Sequence, residues 1–280
     1  MAKISDLSEE QAPKPSATAK RRAELRKHEH FRSQFLEHER TLVVYLPPGY
    51  EALPEGRYPV LYLQDGQNLF DPATAYAGHE WRADETADEL IAAREVEPLI
   101  MVGIYNTGEH RIEEYTPSPD PKRGGGKADL YGRMLVEEIK PFIDQNYRTL
   151  QGPLNTGLGG SSLGGLVTLY LGIKYSDVFG KLAVLSPSVW WDNRAILDLI
   201  AELQPKPRLK IWLDMGTCEG GMSLQDTERL RDVLEAKGWA EGDDLQYSEI
   251  DGAMHNEAAW AERVGPLLRY LFPPESRESS

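Results

Sequence analysis

The chain has 280 residues, of which 40% are hydrophobic and 27% are charged, and its formal net charge is -14 at pH 7. This composition supplies enough apolar surface for a sizeable core and excludes wholesale disorder. The negative charge would repel the phosphates of nucleic acid and anionic membrane surfaces, so we expect neither partner and predict a small-molecule substrate.

Residues 1–27 are polar and charged, and they predict an N-terminal arm that is either mobile or packed on a neighbouring subunit of a homo-oligomer. The arm has no apolar signal segment, and the chain has no apolar run of about 18 residues or more, the length that a membrane helix needs. The single Cys218 excludes an internal disulfide, and no Cys/His pairs show zinc-ligand spacing. We therefore expect a cytoplasmic protein that needs no metal ion or other cofactor.

Alternating strand and helix patterns follow the arm. Two β-rich runs at 31–36 and 41–46 predict a hairpin that opens a sheet. Nearly unbroken apolar runs, typical of strands buried on both faces of a parallel sheet, lie at 58–64, 99–104, 182–185 and 209–213. Helical patterns separate them at 83–93, 130–146, 163–175 and 224–237. The alternation predicts one α/β domain over residues 28–272, with a mostly parallel central sheet, helices on both faces and a frayed tail at 273–280.

The most specific motif in the sequence is a glycine-rich turn around Ser162. A predicted strand enters the sequence Gly-Gly-Ser-Ser-Leu-Gly-Gly at 159–165, and an apolar helix leaves it. This is the context of a nucleophile elbow, where a strained turn exposes a serine at the top of an α/β-hydrolase sheet. The spacing to Gly160 and Gly164 selects Ser162 over Ser161 as the nucleophile, and the N–H of Leu163 is expected to face the oxyanion.

A serine hydroxyl needs a base, and in this fold the chain order is serine, acid, histidine. His255 is the single histidine after the turn, since the other five of the 6 histidines precede it. It lies in a loop between a predicted strand at 245–250 and the final helix. We therefore predict His255 as the general base.

Two carboxylates compete for the place of the acid, because both follow the predicted strand at 209–213. Asp214 stands at the end of the strand and could accept hydrogen bonds from the turn itself. Glu219 stands further along the loop and has the longer reach. The residues alone leave both open.

The second oxyanion donor is expected just after the strand that ends at Gln64, where glycine allows the backbone to approach the substrate. We assign it to the N–H of Gln67, in the segment Asp65-Gly-Gln-Asn68. An ordinary β-turn is the alternative for this segment.

Several segments together resemble the esterase family that includes enterochelin esterases, S-formylglutathione hydrolase, feruloyl esterases and the mycolyltransferases. The matching segments are 60–71, 114–117, 159–165, 185–188, 216–219 and 252–257, with Trp190, Trp191 and Trp260. In relatives the acid occupies the position of Glu219, so the resemblance implies the triad Ser162, Glu219 and His255. The chain departs from many of these esterases in having Asp65-Gly66 where they have His-Gly, which puts the shape of the oxyanion loop in doubt.

These inferences predict a serine carboxylic-ester hydrolase that works through an acyl-enzyme, on short-chain or aromatic acyl esters. Trp190, Trp191 and Tyr115 are the candidate substrate-binding residues, with core or lid positions as the alternative. A siderophore esterase or an acyltransferase on the same framework is the enzymatic alternative. A non-catalytic binding protein of this fold is the alternative from another class.

Overall fold

The computed structural model describes residues 23–274, and most of their strands form one central sheet. Its strands are β1 Glu24–Phe31, β2 Arg40–Leu46, β3 Val60–Gln64, β4 Ile100–Ile104, β7 Thr156–Ser161, β8 Lys181–Leu185, β9 Lys210–Gly216 and β10 Leu245–Ile250. Two further strands, β5 Pro119–Asp120 and β6 Gly124–Gly125, form a separate small hairpin.

The central sheet has the order β1-β2-β4-β3-β7-β8-β9-β10. Every neighbouring pair from β4 to β10 in that order is parallel, whereas β2 is antiparallel to both β1 and β4. The prediction of a mostly parallel sheet is confirmed. Parallel strands end at one edge of the sheet, and the loops at that edge carry ligand sites in open α/β folds.

Helices connect the parallel strands. They are α1 Ala83–Ala93, α2 Arg111–Tyr115, α3 Ala128–Arg133, α4 Lys140–Asn146, α5 Leu163–Lys174, α6 Ala195–Glu202, α7 Ser223–Ala236 and α8 Glu257–Leu271, with a π-helical segment Met134–Ile139 joining α3 to α4. The predicted helix at 83–93 coincides with α1, and the other predicted helices agree to within two residues.

Each face of the sheet has its own hydrophobic core, because successive residues of a strand point to opposite faces. In β2, Val44 belongs to the core that α5 and α7 cover, and Tyr45 belongs to the core that α1 and α8 cover. Helices therefore lie on both faces, as predicted, and the fold is that of an α/β hydrolase.

The predicted first strand at 31–36 is wrong, since β1 runs over Glu24–Phe31 and pairs with β2. The predicted arm, residues 1–27, therefore includes the start of the sheet, and residues 1–22 lie outside the described part of the chain. β1 is an edge strand with mostly exposed, charged side chains. Charges protect an exposed edge from pairing with another chain, but they also remove the apolar pattern that would reveal a strand.

Other elements were not predicted either. Helix α2 and the small hairpin of β5 and β6 lie between β4 and α3, where the sequence predicts no element. Helix α6 lies between β8 and β9, where a parallel crossover connection needs a covering element. In the tail, residues 273 and 274 have no regular structure, and residues 275–280 lie outside the described chain.

Candidate active site

Ser162 occupies a sharp turn between β7 and α5, with φ 60° and ψ −123°. Such a backbone conformation is strained for a residue with a side chain, and it projects the serine from the edge of the sheet. The turn is also tight: a Cβ on Gly160 would lie 2.8 Å from the Gln64 side chain and 3.0 Å from the Gly164 backbone. The glycine at 160 is therefore needed for the turn to close.

Three side chains from separate loops meet in a line. The Ser162 Oγ lies 2.9 Å from His255 Nε2, and His255 Nδ1 lies 2.6 Å from Glu219 Oε2. The His255 side chain is 40% exposed, whereas that of Glu219 is fully buried. His255 directly precedes Asn256, which caps α8 by accepting a hydrogen bond from Ala259 N, so the helix start anchors the histidine loop.

The Glu219 carboxylate is held by several donors. Its Oε1 accepts hydrogen bonds from Ser186 Oγ at 2.5 Å and from Gly216 N at 2.7 Å. Burial raises its pKa, but the hydrogen bonds with His255, Ser186 and Gly216 outweigh burial and hold the pKa below the usual value. Glu219 is therefore ionised at neutral pH.

The structure brings Glu219, and not Asp214, against His255. Asp214 is fully buried at the end of β9, where it accepts hydrogen bonds from Trp212 Nε1, Arg263 Nη1 and the Ser186 backbone N–H. Burial raises its pKa above the usual value, although the Arg263 guanidinium and these hydrogen bonds oppose the shift. Sequence reasoning missed Arg263, because a residue in the last helix gives no local signal of a partner in β9.

The two predicted oxyanion donors lie in turns that border Ser162. Leu163 is the first residue of α5, so its N–H is among those that have no partner within the helix. Gln67 lies in a 3-10 turn, Gly66–Asn68, directly after β3 and Asp65. A Cβ on Gly66 would lie 2.4 Å from the Gly103 backbone, so glycine allows this turn to press against β4.

An ion pair between Asp65 and Arg111 stabilises the start of the same turn. Asp65 has a left-handed backbone, with φ 54°. Arg111 donates from Nε to Asp65 Oδ1 and from Nη2 to Oδ2, both at 2.8 Å, and Asn106 Nδ2 donates to Oδ1 at 2.7 Å. Two parallel hydrogen bonds fix the orientation of a carboxylate as well as attracting it. The one sequence signal of this pair is the Asp-Gly that replaces His-Gly.

A cavity of about 270 Å³ opens beside Ser162. Besides Ser162 and His255, its walls include Asp65, Arg111 and Glu257. Burial is the largest influence on the pKa of Glu257 and raises it. The cavity is thus lined largely by polar and charged groups, and it places them within reach of a substrate bound at the serine.

The predicted substrate-binding residues lie elsewhere, and none of them lines this cavity. Tyr115 is fully buried and accepts a hydrogen bond from Asp65 N at 3.2 Å, so its predicted contact with substrate is wrong and it contacts the start of the turn after β3 instead. Trp191 is 3% exposed and borders a separate apolar cavity of about 240 Å³ with Leu166 and Tyr170. Trp190 is 41% exposed on the surface.

Two features are absent from residues 23–274. No group of three or more histidine, cysteine, aspartate or glutamate side chains in that range is arranged to hold a metal ion. No helix in the same range is long and apolar enough to cross a membrane.

The α/β-hydrolase fold and the serine turn define the class, and comparison with known families gives the group within it. The sequence profile of the family described as "Putative esterase" matches residues 33–270, so the chain belongs to this esterase family. It is a carboxylesterase-type hydrolase.

Several similar proteins are named as esterases. The chain is 28% identical to the ferri-bacillibactin esterase BesA of Bacillus subtilis, over 84% of this chain and 86% of BesA. It is 31% identical to the endo-1,4-beta-xylanase/feruloyl esterase of Xylanibacter ruminicola, over 83% of this chain but only 29% of that longer protein. A solved ferulic acid esterase superposes with a TM-score of 0.72 at 19% identity, covering 90% of this chain and 98% of the other, a likeness that concerns the fold.

Proposed function

We propose that the protein hydrolyses carboxylic esters through a covalent acyl-enzyme, with Ser162 as nucleophile, His255 as general base and Glu219 as the acid that orients the histidine. The continuous line from Ser162 Oγ to His255 Nε2 at 2.9 Å and from His255 Nδ1 to Glu219 Oε2 at 2.6 Å carries this proposal. Each distance lies within hydrogen-bond reach, as a nucleophile, base and orienting group require.

In the first half-reaction His255 Nε2 takes the proton of Ser162 as Oγ attacks the ester carbonyl. The N–H groups of Leu163 and Gln67 donate hydrogen bonds to the resulting oxyanion, and His255 returns the proton to the departing alcohol. Water then repeats the sequence on the acyl-enzyme and releases the carboxylic acid and free Ser162. Glu219 stabilises the imidazolium formed in both halves because it keeps its negative charge at neutral pH.

Short-chain or aromatic acyl esters are the proposed substrates. A cavity of about 270 Å³ is at the low end of ligand sites, so it accommodates a small acyl group or one aromatic ring more easily than a fatty chain. Trp260 contributes an aromatic wall to it. The name of the X. ruminicola relative, a feruloyl esterase, supports an aromatic acyl group.

A siderophore ester is the second candidate substrate, because BesA, which matches over most of both chains, is named as a ferri-bacillibactin esterase. Transfer of the acyl group to an alcohol uses the same intermediate and is the third possibility. Product analysis separates them: purified enzyme is given a feruloyl ester and a siderophore ester, each with and without an added alcohol. Release of free acid from the feruloyl ester, undiminished by the alcohol, supports the first candidate.

Labelling with a fluorophosphonate tests the assignment of the nucleophile. We expect Ser162→Ala to abolish labelling and to lower the rate with an activated acetate ester on the order of 10⁴-fold or more, as in other triads. Ser161→Ala, in the adjacent buried residue, is the matched control and should keep both labelling and most of the activity. A pure, folded Ser162→Ala variant with a near wild-type rate would overturn the proposal.

A further inference from the structure

A buried guanidinium contacts two carboxylates, one in β9 and one on the loop after it. Arg263, in α8, is 1% exposed, and its Nη1 donates to Asp214 Oδ1 at 2.7 Å while its Nη2 donates to Glu219 Oε1 at 3.1 Å. Both carboxylates are fully buried. One cation therefore contacts the residue that touches His255 and a second acid that does not.

Ser186 forms hydrogen bonds with both Arg263 and Glu219, and these three residues with Asp214 are called the buried cluster here. Its Oγ accepts from Arg263 Nη1 at 2.7 Å and from Trp260 Nε1 at 3.0 Å, and it donates to Glu219 Oε1 at 2.5 Å. Trp260 also packs its indole edge-on against the His255 ring, with centroids 4.9 Å apart. The cluster is thus connected to the histidine through Glu219 and through Trp260.

Asp214 fits this cluster as an anion. Its Oδ2 accepts from Trp212 Nε1 at 2.7 Å, and its Oδ1 accepts from Arg263 and from the Ser186 backbone N–H. These partners are all donors, so a proton on Asp214 would face other protons. Charged donors and buried hydrogen bonds favour the ionised form of a carboxylate.

The charges of the cluster then decide what His255 experiences. Two carboxylates and one guanidinium leave one net negative charge, which an imidazolium at His255 would balance to zero. Without Asp214, Arg263 would neutralise Glu219, and the buried cluster would offer His255 no net charge. Charges act strongly across a buried cluster because little water screens them.

We propose that Arg263 and Asp214 form one positioning pair, in which Arg263 holds Glu219 toward His255 and Asp214 offsets the guanidinium so that Glu219 keeps its charge for the histidine. This inference rests on the proposed function. Neither residue touches the reacting atoms, so the pair acts through Glu219. It also gives Asp214 a role besides the structural one that its strand-end position suggests.

The acid limb of the pH profile of kcat/KM reports the protonation of His255, and it tests the pair directly. Other ionisable groups around His255 stay unchanged in the variants: Glu257 at the start of α8, Asp65 and Arg111 across the cavity, and Asp251 on the same loop. Asp214→Asn removes a negative charge, which disfavours the imidazolium. We expect its limb to move to lower pH by about half a unit or more, as Coulomb's law gives for a poorly screened charge.

The double variant Asp214→Asn with Arg263→Met distinguishes an effect of charge from an effect of packing. It leaves Glu219 as the one charged member of the cluster, so the net charge is again negative, but it removes further contacts. We expect its acid limb to return toward the wild-type position even though its melting temperature falls further. A purely structural pair would leave the limb unmoved in the folded single variant, and that result overturns the proposal. A limb that stays shifted in the double variant overturns it as well.

Asp214→Glu is the charge-matched control and decides the question if the double variant does not fold. Its limb should stay at the wild-type position, whereas a shift as large as that of Asp214→Asn would contradict the proposal. Failure of the proposed function is distinguishable, since it shows as an active Ser162→Ala variant. An inactive Ser162→Ala variant beside an unmoved limb rejects the positioning pair alone.

Discussion

The two sides of the active site both contain a carboxylate held by an arginine, yet in different environments. On the acid side, Arg263 and its two carboxylates are completely buried. On the oxyanion side, the Arg111 side chain is 25% exposed and its partner Asp65 is 6% exposed at the wall of the cavity. The buried cluster orients one fixed partner, His255, whereas the other pair braces a turn that faces the substrate.

The difference in burial between the two ion pairs indicates which side of the site needs the more precise orientation of its side chains. In the proposed mechanism the base keeps one tautomer through both half-reactions, and Glu219 is surrounded by donors that fix its geometry. The proposed oxyanion turn holds an N–H group in place but also borders a site that substrates would enter and leave. Loss of a partner should therefore cost most on the acid side.

Glu219→Gln tests the acid side and should have the largest effect within this comparison. The neutral amide can no longer stabilise the imidazolium, and it places its NH₂ among donors. We expect turnover to fall by about 10² to 10⁴-fold with the fold retained, as for loss of the orienting acid in other triads.

Steady-state kinetics and a melting curve, both measured on Glu219→Gln and on Asp214→Asn, compare the roles of the two acids. At the plateau of the pH profile, Asp214→Asn should lose less activity than Glu219→Gln. It should lose stability by about 1 to 3 kcal/mol, because one buried donor is left without its acceptor. An active Glu219→Gln beside a folded, inactive Asp214→Asn would reverse the roles of the two acids.

Arg111→Met tests the oxyanion side. It leaves Asp65 without its bidentate partner, and the left-handed turn that carries Gln67 loses a brace. We expect kcat to fall by about 10 to 10²-fold, a loss comparable to that of one oxyanion donor or less. Because the variant removes a positive charge from the cavity wall, the acid limb of its pH profile should not move to lower pH, which distinguishes it from Asp214→Asn. A wild-type kcat would show that the turn does not need the ion pair.

Trp190→Ala should have the smallest effect. The side chain is 41% exposed, stacks near Arg123 and lies outside the cavity lining. We expect kcat/KM for small esters to change by about threefold or less, as for a surface substitution away from the site. Initial rates with an acetate and a feruloyl ester check this, and a large loss confined to the aromatic ester would return Trp190 to the substrate site.

Sequence patterns predicted the features of the site that depend on neighbouring residues or on the order of residues along the chain. The strand, glycine turn and apolar helix at Ser162 are contiguous in sequence, and the order of serine and histidine along the chain singled out His255. Asp214 lies in β9 and Glu219 on the loop after it, and both follow the predicted strand at 209–213, so their order along the chain could not separate them. Their shared contact with Arg263, in the last helix, has no local signal in the sequence.

The features that were predicted wrongly or missed depend on contacts between distant parts of the chain. Tyr115 is near the site in sequence pattern but points into the core, and burial is a property of the packed chain. The pairing of Asp65 with Arg111 joins two loops and has no spacing rule. Strand β1 was missed because its charges suit an edge exposed to water, a position that only the assembled sheet defines.

Trapping the acyl-enzyme tests the central claim most directly. The enzyme is mixed with an activated acetate ester, quenched in acid within the first turnover, digested and analysed by mass spectrometry. The account predicts one acetyl group on the peptide that contains Ser162, and none on that peptide in Ser162→Ala. Turnover at the wild-type rate with no acyl group on Ser162 at any quench time, or acylation of a different residue, would contradict it.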